Sequence, residues 1–328
     1  MDKTAVLLVN LGTPDAPDPK SVRRYLAEFL SDPRVIDLPR WKWLPILHGI
    51  ILRVRPKKSA KLYQSVWTDE GSPLLLNGRR QQAALQERLA DTGVKAVLAM
   101  SYGTPHLSGE LEKLHQWGVR HLVVVPLYPQ YSSTTVGSVW DGLQQSLAGW
   151  RDLPELAFIR DYPDHQSYIA ALADRIRNTV SDHGMPGRLL LSYHGIPIRY
   201  ARNEDDYPQR CRITTEIIRQ QFPELSILET FQSKFGNEEW LKPATIDTVR
   251  ALAGQGVKHI AVIAPGFSAD CLETLQELAQ ENAHAFYEAG GQQFDYIPAV
   301  NDHPFFIDCL EDLVRQRLKM PAKIKNRY

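Results

Sequence analysis

The sequence predicts an α/β protein made of two similar halves, each a parallel sheet covered by helices. Short runs rich in Val, Ile and Leu alternate with longer amphipathic stretches, and most of the runs are continuously apolar, as in strands buried on both faces. The chain also repeats itself: VLLVNLGTP at 6–14 aligns with LLLSYHGIP at 189–197, and GVRHLVVVP at 118–126 aligns with GVKHIAVIA at 256–264. The shared grammar of strand, glycine and turn accounts for one such match, whereas two in the same order favour duplication.

Taken in order, strands are expected at 6–10, 96–101, 121–125, 189–193, 227–230, 259–264 and, on a weaker pattern, 295–298, with helices between them. The first copy carries about 45 more residues between its matched segments than the second. This excess falls between Pro14 and Gly118 and takes in an apolar, aromatic-rich segment at 41–52 flanked by Arg40, Lys42, Arg53, Arg55, Lys57 and Lys58. Loops after the carboxyl ends of strands form the ligand crevice in this architecture, so an insertion there is a candidate lip over an apolar ligand, or simply an enlargement of the core. Its apolar face is also a candidate for peripheral contact with a membrane.

Composition narrows the function. Across 328 residues, 38 Lys plus Arg balance 38 Asp plus Glu, which argues against nucleic acid and for a small-molecule partner. Cys211, Cys271 and Cys309 are far apart and odd in number, so neither a disulfide framework nor a four-thiolate cluster is expected, and a reducing, cytoplasmic setting fits. The opening run is broken by Gly12 and Pro14 too soon for a signal peptide, and no stretch approaches the ~18 apolar residues of a spanning helix. The glycine fingerprint of dinucleotide binding is missing after every strand, because Gly12-Thr13-Pro14 and Gly195-Ile196-Pro197 place proline where a phosphate-cradling turn would open its helix.

Three features carry chemistry. His194 ends a buried strand and so points toward the crevice, where a neutral imidazole can accept a proton or ligate a metal; a merely hydrogen-bonded structural role is the alternative. In SADCLETLQELAQEN, Glu273, Glu277 and Glu281 recur every four residues, one face of an expected helix with Ser268 or Asp270 as N-cap. Such a row is often a solvated surface, but no Lys or Arg occurs between Lys258 and Arg315, so the three carboxylates need a cation or proton from elsewhere. In LYPQYSSTTVG, Tyr128, Tyr131, Ser132, Ser133, Thr134 and Thr135 offer rings and hydroxyls suited to a large planar ligand, or form an ordinary turn. By the duplication His194 corresponds to Leu11; if the two halves face one another across a crevice, a flat ligand between them would meet a basic side chain on one face and an aliphatic one on the other.

VNLGTP, RPKKSAKLYQSVWTDEGSPL, LYPQYSSTTVG, LLLSYHGIPIRYARNEDDYPQRC, FQSKFG and PGFSADCLETLQEL closely resemble the ferrochelatases, which insert ferrous iron into a porphyrin. The resemblance runs from residue 6 beyond 280. It implies two Rossmann-like domains with parallel sheets related by duplication, the class II chelatase arrangement. The expected divisions are 1–160 with an inserted lip at 15–77, 161–302, a helix at 303–318 packing back on the first domain, and a basic tail at 319–328. It further implies that His194 and Glu273 form the metal and proton-accepting pair, that Glu277 and Glu281 extend it as an outer acidic row, and that Leu11, Arg55, Ser72, Tyr102 and Tyr131 contact the macrocycle or its propionates. Leu11 and SYHGIP resemble the branch that uses protoporphyrin, whereas coproporphyrin-using members often carry Tyr at the position of Leu11. No permanent cofactor and no iron–sulfur cluster are expected, since members with a cluster hold it through four cysteines; Fe²⁺ and protoporphyrin IX enter as substrates. A monomer is favoured over an oligomer, and the cytoplasm, with peripheral attachment to the inner membrane face, is the expected location. A porphyrin or haem carrier without catalysis, and a related chelatase acting on a corrin precursor, are the competing readings.

Overall fold

The computed structural model describes residues 2–234 and 238–320. The first half runs β1 (Lys3–Thr13), α1 (Pro19–Ser31), α2 (Arg40–Ile46), a π-helical turn (Leu47–Ile51), α3 (Leu52–Val66), α4 (Pro73–Arg88), β2 (Lys95–Gly103), α5 (Leu107–Trp117), β3 (Val119–Pro126), a second π turn (Ser133–Gly137), α6 (Ser138–Leu147), β4 (Glu155–Phe158) and α7 (Gln166–His183). The second runs β5 (Arg188–His194), α8 (Ile198–Arg202), α9 (Tyr207–Gln221), β6 (Ile227–Gln232), α10 (Thr245–Gly254), β7 (His259–Ile263), a π-helix (Glu273–Asn282), α11 (Ala283–Glu288), β8 (Gln293–Ile297) and α12 (Pro304–Arg317).

Each half holds one four-stranded parallel sheet, in the orders β2-β1-β3-β4 and β6-β5-β7-β8. The two orders are the same once the halves are matched, and so is the register. Leu7 stands opposite Val124 and Leu190 opposite Val262, which are the pairs that the aligned sequence segments equate. The duplication is therefore written into the hydrogen bonding of the sheets. It also locates a strand that local sequence did not: shifting the expected strand at 295–298 back by the offset of the second matched pair leads to β4.

Continuous apolar runs become strands buried on both faces, with Ala5 through Val9 and Leu189 through Leu191 fully buried. Punctuation follows local chemistry. Asp18 caps α1 by accepting from the amides of Lys20 and Ser21, with Pro19 at the first helical position, and Gly118 closes α5 in the left-handed conformation. Gly12 has φ of 116°, and a Cβ there would lie 1.7 Å from the Tyr102 carbonyl oxygen, so only glycine lets the ends of β1 and β2 run this close.

The extra residues of the first half lie between β1 and α4, because α4 leading into β2 has its counterpart in α9 leading into β6. They form α1, α2, the first π turn and α3. Helix α4 runs across residue 77, where the lip was expected to end. The apolar segment at 41–52 divides: Trp43, Leu47 and Leu52 are buried with Val22, Tyr25 and Leu30, whereas Trp41 is 74% and Ile50 60% exposed. Helix α12 lies against α4 and α7; Arg315 is buried, pairs with Glu311 at 2.9 Å and donates to Asp91 at 2.8 Å.

Three expectations need correction. Strands β1, β3 and β8 begin three, two and two residues earlier than expected. Residues 273–282 are wound as a π-helix rather than an α-helix, a form that recurs at functional sites. Neither Ser268 nor Asp270 caps that helix: Ser268 donates to the Leu127 carbonyl at 2.7 Å, and Asp270 accepts from Thr274, Tyr296, Ala299 and Asn301. Asp270 thus ties the start of the helix to the segment after β8. The basic tail, apart from Lys319 and Met320, lies outside the described residues.

Candidate functional site

His194 is the last residue of β5 and its side chain is exposed at the carboxyl end of the second sheet. Its Nδ1 lies 2.7 Å from the Gly195 carbonyl oxygen. A carbonyl can only accept, so this nitrogen carries a proton and the neutral ring keeps its lone pair on Nε2. The Phe267 ring stands beside it at a centroid distance of 6.3 Å.

Glu273 opens the π-helix, half-buried, and faces a narrow cleft lined by Gly12, Thr13, Tyr25, Tyr63, Val66, Ser72, Pro73, Leu74, Cys271 and Leu272. Burial, and next the charges around them, push the hydroxyls of Tyr25 and Tyr63 up, and the same holds for Tyr128 and for the Cys271 thiol; Glu273 contributes in every case. Burial pulls the Arg55 guanidinium down, and the nearby Tyr63 and Glu273 pull it back up.

Glu277 follows Glu273 along the same π-helix. Its carboxyl is raised above the ordinary value, first by burial, although the donors of Ser233 and the charge of His194 favour the carboxylate. Its Oε1 accepts from the Ser233 amide at 2.6 Å and its Oε2 from the Ser233 hydroxyl at 2.5 Å. Glu277 thus feels both His194 and Glu273, near the carboxyl ends of β5 and β7, the crevice position expected of the fold. Glu281 does not join them: it is exposed, farther along the π-helix. Among the described residues no three His, Cys, Asp or Glu side chains stand as a ready-made chelating set.

The expected macrocycle contacts divide. Leu11 is half-buried at the end of β1, against an apolar cluster that includes Tyr102 and has Leu272 and Ile51 beside it. Ser72 is buried on the cleft and donates to Thr13 at 2.8 Å. Tyr102 commits its hydroxyl to Asp32 at 2.6 Å. Tyr131 lies under the Arg160 guanidinium, whose Cζ is 3.8 Å from the ring centroid. In the same loop, Ser132 and Ser133 do not line the crevice as expected. Both donate to Asp205, joining the two halves. Tyr128 alone of that loop is coupled to Glu273. Tyr25, Tyr63, Gln232, Ser233 and Phe267 were not singled out from the sequence, although RPKKSAKLYQSVW, FQSKFG and PGFSADCLETLQEL, which match the resembling family, contain all of them but Tyr25.

Comparisons with known proteins agree with this architecture. A sequence model of the Ferrochelatase family matches residues 3–318. A Coproporphyrin III ferrochelatase of Symbiobacterium thermophilum is 58% identical over 97% of this chain and 99% of its own, and a Ferrochelatase of Pectobacterium atrosepticum is 57% identical over 95% and 98%. A Ferrochelatase of Yersinia enterocolitica is 55% identical over 96% of this chain and 98% of its own. Among solved structures, SirB from Bacillus subtilis with Fe³⁺ superposes with a TM-score of 0.56 at 12% identity, over 96% of this chain and 95% of that one. DR2241 from Deinococcus radiodurans gives 0.51 at 11% identity, over 95% and 55%. At such identities the structural likeness speaks for the fold alone, but the sequence relatives span nearly the whole chain: it belongs to the ferrochelatase family.

Proposed function

We propose that the protein inserts ferrous iron into protoporphyrin IX to give protohaem, with His194 and Glu273 as the reacting pair. The observation that carries this reading is an imidazole whose Nε2 lone pair is uncommitted, linked electrostatically through Glu277 to Glu273, which faces a cleft lined by Leu272, Tyr25 and Tyr63, with Leu11 packed against the same apolar cluster. Free-base porphyrin is planar and keeps two pyrrole N–H protons, so metal enters only after the ring bends and those protons leave. Apolar walls grip the ring and divert binding energy into its distortion. His194 Nε2 accepts a pyrrole proton, and Glu273 takes the second proton or hands Fe²⁺ inward, with Glu277 behind it. Imidazole with carboxylate is a donor set suited to ferrous iron.

Protoporphyrin carries two carboxylates and an apolar edge, and the aliphatic Leu11 beside the Tyr102 cluster supports it. The name of the Symbiobacterium relative favours a second reading, coproporphyrin III, which carries four carboxylates. We further assign the exposed Trp41, Ile46, Ile50 and Val54 to contact with an anionic bilayer, because no Asp or Glu occurs between Asp37 and Asp69 while Arg40, Lys42, Arg53, Lys57 and Lys58 flank them. No helix among the described residues is long and apolar enough to cross a membrane.

One anaerobic assay separates the readings: Fe²⁺ is supplied with protoporphyrin IX, with coproporphyrin III or with a corrin precursor, and the free-base bands are followed. Many equivalents of protoporphyrin should be converted, and faster than coproporphyrin. A stoichiometric spectral shift without turnover would mean a carrier, and preference for another tetrapyrrole would overturn the substrate assignment.

A further inference from the structure

Ser233 follows β6 and adopts φ of 66°, a left-handed backbone that few residues other than glycine take without cost. The conformation has a consequence at the site. It turns both the amide and the hydroxyl of Ser233 onto one carboxylate, Glu277, at 2.6 and 2.5 Å. Its neighbour Gln232 is buried, and the Ser192 hydroxyl donates to its Oε1 at 3.1 Å, which fixes which end of the amide faces outward. Nε2 of Gln232 then reaches the Glu273 carbonyl at 3.0 Å and Oε2 of Glu277 at 3.4 Å. Behind Gln232 stand Ser192, Thr245 and Thr230, all fully buried and hydrogen-bonded to one another. Gln232 is also the sheet partner of His194 across β5 and β6. One rigid polar network therefore sets the distance between the imidazole and the carboxylate.

We propose that Ser233 and Gln232 are positioning residues for iron: they fix the Glu277 carboxylate beside His194 so that the incoming Fe²⁺ meets a preset pair of donors. The inference rests on the reading of Fe²⁺ as substrate. It assigns no contact with the porphyrin to either residue, and so predicts an effect on iron and not on the macrocycle. Ser233 keeps its left-handed backbone at a conformational cost that a plain turn would avoid by using glycine, which separates the two explanations experimentally.

The variants are Ser233→Gly, Ser233→Ala, Glu277→Gln and the double variant Ser233→Gly with Glu277→Gln, each in the full-length protein. Glycine suits the backbone, so Ser233→Gly should unfold at the same temperature as the parent or a higher one. Its KM for Fe²⁺ should nevertheless rise about 10- to 100-fold, the usual effect of removing a partner that orients a metal ligand, while KM for porphyrin stays within about twofold. Ser233→Ala should behave alike toward iron. In the Glu277→Gln background the glycine change should add less than about twofold, since its target is gone. Anaerobic calorimetric titration of Fe²⁺ into porphyrin-free protein gives the same comparison without turnover, and weaker binding by Ser233→Gly is expected there. An unchanged iron KM or iron affinity in Ser233→Gly, an equal rise in both KM values, or an undiminished effect in the Glu277→Gln background would each overturn the assignment, as would a parent protein that binds no Fe²⁺. A parent whose Fe²⁺ binding weakens in this way in the Ser233 and Glu277 variants, yet which converts no porphyrin, would leave this inference standing and reject the proposed reaction.

Discussion

Replacing His194 by alanine separates chemistry from folding, because the structure makes the two costs very different. The ring is exposed and makes one hydrogen bond, from Nδ1 to the Gly195 carbonyl at 2.7 Å. Its loss should cost the fold about 0.5–1.5 kcal/mol. As the acceptor of a pyrrole proton at Nε2, the same ring should contribute about 10²–10⁴ in rate, or roughly 2.7–5.5 kcal/mol of barrier at 1.36 kcal/mol per decade. His194→Ala should therefore unfold in urea almost as the parent does, bind protoporphyrin within a few-fold by fluorescence quenching, and lose at least two decades of kcat. Because the site is open to solvent, added imidazole should restore part of the lost rate as an external base. Near-normal turnover would refute the assignment. A fall in porphyrin affinity as large as the fall in rate would show that the ring holds the substrate instead.

Three further perturbations test other parts of the reasoning. The raised carboxyl of Glu277 means that its ionisation opposes folding: its contribution is favourable below the unfolded value of 4.5 and is lost as pH rises through the higher folded value. Glu277→Gln should thus be more resistant to urea than the parent near neutrality, with the advantage shrinking toward pH 4; equal midpoints at neutral pH would contradict this. Gly12→Ala should cost about 1–3 kcal/mol for the forced positive φ and about 1–3 kcal/mol for the overlap with the Tyr102 carbonyl, and a loss below about 1 kcal/mol by denaturant titration would mean that the strand ends part easily. Changing Trp41 and Ile50 together to Glu removes two insertable side chains worth about 1.5–3 kcal/mol each, so co-flotation with vesicles containing phosphatidylglycerol should drop by a factor of ten or more; a parent that stays with the soluble fraction would reject membrane contact.

What the sequence revealed and what it hid divide along physical lines. Strands β1, β3, β5 and β7 were legible because full burial leaves a continuous apolar run; His194 stood out because it ends such a run, and Glu273 because it opens a row of carboxylates spaced four apart with no local cation. Strand β4 escaped because it is four residues long and only half-buried. The π-helical winding of 273–282 escaped because hydrogen bonding five residues apart uses the same residue types as an α-helix. Ser132 and Ser133 were misread because their acceptor, Asp205, arrives from the other half of the molecule. Tyr25 and Tyr63 reach the cleft on α1 and α3, and nothing in a local window says where an inserted helix will lie. Ser233 escaped for a different reason, since its role depends on a backbone conformation that serine rarely adopts.

The duplication carries the strongest argument about where the chemistry lies. The sheet registers equate His194 with Leu11, Gln232 with Ser101 and Ser233 with Tyr102, and the offset shared by β3 with β7 and β4 with β8 equates Glu273, Glu277 and Glu281 with Thr135, Val139 and Leu143. A π-helical segment begins at nearly the same place in both halves, at Ser133 and at Glu273. In the first half, however, Val139 and Leu143 are fully buried in the apolar core, a setting that would make an unpaired carboxylate prohibitive. The two copies thus diverge at matched positions: the second carries His194, Glu273 and Glu277 where the first has Leu11, Thr135 and Val139. The proposed reaction assigns proton removal and iron delivery to the second copy and pressure on the ring to the first, led by Leu11, and a divergence of this kind is what that assignment requires.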